Sequence, residues 1–138
     1  MSRDRTLARL ADHQREILTI LNGAEPFLTE PPKRDVAALA RARWALMRAL
    51  TGYQLFKHRE VFDPLLAKAR PADAYNLVRM KRACTELGDA FRSYVQRWSG
   101  ADVEAQWTEY QPAALAMIAR IREHIAREQE EVGKVLRA

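Results

Sequence analysis

Residues 71–100 read PADAYNLVRMKRACTELGDAFRSYVQRWSG, and within them Leu77, Met80, Cys84, Leu87, Phe91, Tyr94 and Trp98 recur at alternating steps of three and four. At 3.6 residues per turn that spacing gathers every one of these side chains onto a single helical stripe. Pro71 and Asp73 suit a first turn, where one backbone N–H needs no partner and a negative charge is favoured. Ser99-Gly100 supplies the stop. A one-sided helix of this length must bury its stripe against other helices, and the rest of the chain offers them.

Towards the amino terminus, Leu7, Leu10, Gln14, Ile17 and Leu21 step by three and four, predicting a first helix that ends at Asn22-Gly23 with the glycine as C-terminal cap. Residues 24–33 carry three prolines and read as a connection. A second helix starts near Asp35 and runs through Val36, Leu39, Trp44, Met47, Leu50 and Phe62. Gly52 is its weak interior point, and Pro64 marks a kink or a fresh start. After the third helix, Asp102 is placed to cap a fourth that carries Val103, Trp107 and Tyr110. A kink or break is expected at Pro112, and the helix then continues to Leu136 through Ile118, Ile121, Ile125, Val132 and Val135. No strand alternation competes. The expected fold is all-α: an up-down-up-down antiparallel four-helix bundle forming one domain over residues 1–138.

Composition sets the outer limits. The chain is 48% hydrophobic and 30% charged, ordinary for a globular domain with a real core. Its 23 Lys and Arg outnumber 18 Asp and Glu, giving +5, yet the cations alternate with acids and apolar residues along helical periods. That arrangement describes a solvated helix face, so nucleic acid is not expected as a partner. One cysteine excludes an internal disulfide framework. No apolar run approaches the roughly 20 residues of a spanning helix, and no signal-peptide core is present. A cytoplasmic protein without membrane contact is the expectation. Local motifs of nucleotide-binding, α/β-hydrolase, thiol-redox and zinc-protease enzymes are missing, so no catalytic activity is expected.

Chemistry is hinted at in one place. Glu128 interrupts the aliphatic stripe of the fourth helix, with His124 one turn earlier. A carboxylate on such a stripe needs a partner, a proton, an opening to water or a cation, because burying it unpaired costs several kcal/mol, of order 3–5. His13 on the first helix and His58 on the second are candidate partners, and Gln54 stands one turn before His58 on the same face. Imidazoles and a carboxylate converging from facing helices would suit a single iron, zinc or manganese ion, with His13, His58, His124 and Glu128 as metal ligands and Gln54 as a further candidate. Cys84 reads as a small hydrophobe within its stripe. Trp44 and Trp107 read first as packing residues and otherwise as the seat of a homodimer interface.

The residues Ala11-Asp-His13-Gln-Arg-Glu-Ile17, Leu55-Phe-Lys-His58-Arg-Glu-Val-Phe-Asp-Pro64 and Ile121-Arg-Glu-His124-Ile-Ala-Arg-Glu128 together resemble the hemerythrin-like (HHE cation-binding) four-helix bundles. The resemblance covers most of the chain. It implies a bundle whose metal-binding members hold a non-haem di-iron site, with His13, His124 and Glu128 at matching positions. Aligning Pro64 with the family's proline puts Gln54 and His58 where a histidine and a glutamate are expected, and residues 74–98 contain no histidine. Three histidines cannot supply a five-histidine, two-carboxylate centre. The resemblance therefore implies a member that has lost the di-iron site, carries no cofactor and serves a regulatory or protein-interaction role with an unidentified protein partner. The alternative is a sensor of oxygen, redox state or metal that retains one ion.

Overall fold

Four long helices make the architecture of the computed structural model, which describes residues 3–30 and 34–137, the Arg137 side chain excepted. They are α1 (Arg3–Ala24), α3 (Val36–Lys57), α5 (Pro71–Ser99) and α6 (Trp107–Arg137), with short helices α2 (Pro26–Thr29) and α4 (Asp63–Lys68) in the connections. The fold is an all-α four-helix bundle with no strand among the described residues. Arg79 meets Glu131 at 3.0 Å towards one end, and Tyr94 stacks with Tyr110 at 6.5 Å towards the other. Those two contacts run α5 and α6 in opposite directions. Lys81 on Asp63 (2.8 Å) and Arg122 on Glu25 (2.9 Å) tie further neighbours together across the outside.

Each long helix buries a stripe at the spacing of its core residues. In α5 these are Leu77, Met80, Cys84, Leu87, Phe91, Val95 and Trp98, as the sequence anticipates apart from the half-buried Tyr94 and the added Val95. In α1 they are Thr6, Leu10, Gln14, Ile17 and Leu21. A fully buried aliphatic or aromatic side chain contributes about 1.5–3 kcal/mol through surface removed from water, so these stripes dominate the stability. The buried stripe of α3 differs from the expected one. Trp44 is 48% exposed, and its neighbour Arg43, only 7% exposed, occupies the core position instead.

The helix ends follow local chemistry. The Asp35 carboxylate accepts the Ala38 N–H at 2.9 Å and starts α3 where the sequence expects it. Asp35→Ala should lower stability by about 1 kcal/mol in urea unfolding, the typical worth of such a cap. α1 runs past its expected stop: the Glu25 N–H still bonds to the Leu21 carbonyl at 3.1 Å, and Gly23 does not enter the left-handed region that a glycine cap uses. The connection after it contains α2, opened by Pro26 and anchored by the buried Leu28. Pro31, Pro32 and Lys33 lie outside the described residues, as do Met1, Ser2 and Ala138. Pro112 does not break α6. It falls early in the helix on the exposed side, as does Thr108, so the carbonyl that loses its donor faces water. Asp102 accepts the Ala105 N–H at 3.1 Å and caps the turn that precedes α6.

At the end of α3 the chain makes a π-helical turn over His58–Phe62, with the Asp63 N–H bonded to the His58 carbonyl. Pro64 follows directly. Its ring would crowd the carbonyl four residues back and it has no N–H to offer, so the wider turn absorbs the misfit and α4 begins with the proline in its first turn. Val61 and Phe62 remain buried through this stretch.

Candidate functional site

Tyr53 and Lys57 stand one turn apart on α3, and His124 and Glu128 one turn apart on α6, so two facing helices each present a pair of polar groups to the interior. The Lys57 side chain is 0% exposed. Its ammonium donates to both oxygens of Glu128, at 2.7 Å to Oε1 and 2.8 Å to Oε2. Tyr53 donates its hydroxyl proton to Glu128 Oε1 at 2.6 Å, and Gln14 on α1 donates its amide to the Tyr53 oxygen at 3.0 Å. The Lys57 nitrogen also lies 3.9 Å from the centre of the Tyr53 ring, whose negative face attracts a cation.

His124 completes the set from the outside. Its Nε2 is 3.1 Å from Glu128 Oε1 and 3.4 Å from the Lys57 nitrogen. With the proton on Nε2 it donates to the carboxylate; with the proton on Nδ1 it accepts from the ammonium, and the two roles exclude each other. The ring also walls a surface hollow of about 210 Å³ bordered by Glu86, Arg120, Glu123 and Arg127. Water thus reaches the imidazole while Glu128 behind it is sealed.

The carboxyl of Glu128 is subject to opposing influences. Burial alone would raise its pKa, and the His124 hydrogen bond, the Lys57 charge and the Lys57 hydrogen bond outweigh it and hold the pKa at about 2. Burial, the neighbouring Glu128 charge and the hydrogen bond to it all push the Tyr53 hydroxyl far above the usual phenol range, so it is a permanent donor. Burial likewise raises the Cys84 thiol.

Of the residues singled out in the sequence, His124 and Glu128 come together and the others do not join them. His13 lies half-buried over the rings of Tyr53 and Phe56, with centroids 5.9 and 5.0 Å away. Burial, more than any charge, lowers its pKa. His58 sits edge-on against Phe62 at 5.6 Å, its pKa lowered by burial and then by Lys81 and Lys57. Gln54 turns to α5, where its amide donates to the Cys84 carbonyl at 2.9 Å. That approach needs Gly88, since a Cβ there would stand 2.7 Å from the Gln54 amide.

Cys84, whose spacing reads first as packing, has its sulfur near the pair. Cys84, His124 and Glu128 place one ligand atom each within 4.8 Å of one another, the one such trio among the described residues. Lys57, Tyr53 and Gln14 were not anticipated as members. Gln14 had a visible signal, a polar residue inside an apolar stripe. Lys57 had one only for a reader who followed Leu46, Leu50 and Tyr53 in steps of three and four to the lysine.

A second polar cluster lies nearer the other end of the bundle. Arg43 donates to the Tyr110 hydroxyl at 3.2 Å, and Tyr94 donates to the same oxygen at 3.5 Å. Trp98 packs edge-on to Tyr110 at 5.1 Å. Trp107 is half-buried under the Arg34 guanidinium, 4.4 Å above its ring.

Among the described residues no helix is long and apolar enough to cross a membrane. No protein-family model, no curated protein and no solved structure matches the chain.

Proposed function

We propose that this chain is a hemerythrin-like bundle in which the amino group of one lysine does the work of an interior cation, and that it serves as a cytoplasmic regulatory or interaction protein without a reaction of its own. One observation carries the proposal: the sealed Lys57 ammonium grips both oxygens of Glu128. A carboxylate and imidazole that could serve an ion are thereby engaged with a fixed positive charge. The fit to a metal is poor on the same ground. A divalent ion on Glu128 and His124 would stand against the ammonium, and His13 and His58 do not complete a ligand set around it. Exposed Trp44 and Tyr75 support an interaction role, with a protein partner or a second copy of the chain.

A second reading is favoured by the Cys84, His124 and Glu128 trio, a donor set suited to zinc and, less well, to iron or manganese. It requires the lysine to withdraw. Metal analysis separates the two. Protein purified from medium supplemented with iron, zinc and manganese is expected to carry well under one ion per chain, and Lys57→Ala to gain zinc affinity that His124→Ala removes again. Stoichiometric metal in the unaltered protein, lost on His124→Ala, would favour the sensor reading and overturn the first.

A further inference from the structure

The six exposed residues of α3, Ala37, Arg41, Trp44, Arg48, Thr51 and Leu55, fall in steps of four and three. That spacing draws one straight ridge along the outside of the bundle, on the far side of the helix from Tyr53 and Lys57. Its charge sets it apart from the outer faces of the other long helices. There cations and acids pair within one turn, as Arg15 does with Asp12, Arg92 with Asp89 and Arg127 with Glu123. In contrast, α3 has no aspartate or glutamate in its 22 residues, and among the described residues Arg41 and Arg48 make no ion pair.

The ridge is also apolar in two places. Trp44 is 48% exposed and Leu55 49%. At 1.5 Å per residue they stand about 16 Å apart, or about three helical turns. A single exposed apolar side chain needs no explanation. Two on one ridge, with guanidinium groups one turn either side of Trp44, make a patterned surface. Its complement carries apolar side chains about three turns apart and carboxylates between them. An α-helix laid along α3 supplies both, because its own residues recur at the same spacing. The net charge of +5 also favours approach of an acidic partner. A second copy of the chain fits less well, since a two-fold contact lays the ridge on itself and opposes arginine with arginine. A membrane fits less well too, because Arg48 and Thr51 interrupt the apolar surface that would enter it.

We infer that the outer ridge of α3 is the docking surface for an acidic amphipathic helix of a protein partner, anchored on Trp44 and Leu55 with its carboxylates on Arg41 and Arg48. The inference rests on the reading of the chain as an interaction protein and names its contact face. Stoichiometric metal would remove that reading, whereas the ridge is judged by binding.

The test is fluorescence anisotropy of a labelled synthetic helix with the full chain, the helix carrying leucines at three-and-four spacing on one face and glutamates along its borders. Binding is expected, and it should weaken as salt rises. Trp44→Ala and Arg48→Glu, surface changes that leave the core intact, should each weaken it by about tenfold or more. Tyr75→Ala, on the exposed side of α5, should leave it unchanged. The same helix with lysine for glutamate should not bind. Binding that Tyr75→Ala removes and Trp44→Ala does not would overturn the ridge and leave the interaction reading standing. No binding, equal binding of the lysine helix, tighter binding of phosphatidylserine vesicles or of a short DNA duplex, or dimers of the chain that Trp44→Ala abolishes would each overturn the assignment.

Discussion

Lys57→Met is expected to lower the stability of the protein by about 3–5 kcal/mol, because it removes the counter-charge and leaves the Glu128 carboxylate buried and uncompensated. For a domain whose whole stability is of order 5–15 kcal/mol, this is a large fraction. The loss of packing contributes little, since methionine nearly matches the stem of lysine in length and fills the same space. The informative comparison is the double variant Lys57→Met/Glu128→Leu. Taking away both charges removes the desolvation cost together with the attraction, and replacement of buried pairs by apolar residues is typically neutral or stabilising by about 1–4 kcal/mol. Urea midpoints should therefore fall steeply for the single variant and return to or above the starting value for the double. A double variant as unstable as the single one would mean that Tyr53, its hydroxyl proton left without an acceptor, depends on the carboxylate more than the lysine does.

Acid should act through the same carboxylate. Glu128 is held at about 2 against an ordinary value of 4.5, so the folded chain binds fewer protons than the unfolded one in that interval. A depressed carboxyl contributes fully above the unfolded value and loses its contribution as pH falls through the folded one. The window is thus about pH 4.5 down to 2, and the amount is roughly 3 kcal/mol. Comparing wild type with Lys57→Met/Glu128→Leu isolates it from the exposed acids common to both. Between pH 5 and pH 2 the unaltered protein should lose roughly 3 kcal/mol more than the double variant in denaturant titrations. Parallel loss in the two would show that Glu128 does not report on folding in this range.

The helices themselves were legible in the sequence, because periodicity, Asp35 as a cap and the stripe from Leu77 to Trp98 all express local rules. The inner face departs most from its spacing in the second helix. The second helix was assigned Trp44, Met47 and His58 on its inner side, and the structure puts Arg43, Leu46 and Lys57 there, each one position earlier. A sequence reading prefers to bury tryptophan over arginine and histidine over lysine, since isolated cations belong in water. What reverses the preference is a partner 71 positions away for Lys57 and 67 away for Arg43, and no local pattern encodes those meetings. Glu128 was legible because its stripe is otherwise aliphatic. The lysine that answers it was not.

The wide turn at His58–Phe62 also decides how this chain can be laid beside any other. It spends five residues on a circuit that an ordinary α-helix completes in about four, so side chains after Phe62 are rotated by roughly 100° relative to an uninterrupted count from Lys57. Counting backwards from the buried Phe62 in ordinary steps of four reaches His58 and Gln54, whereas the step of five through the wide turn reaches Lys57 and then Tyr53. The extra residue is silent in residue identity and visible only in backbone winding, which is why Tyr53 and Lys57, and not Gln54 and His58, reach the interior.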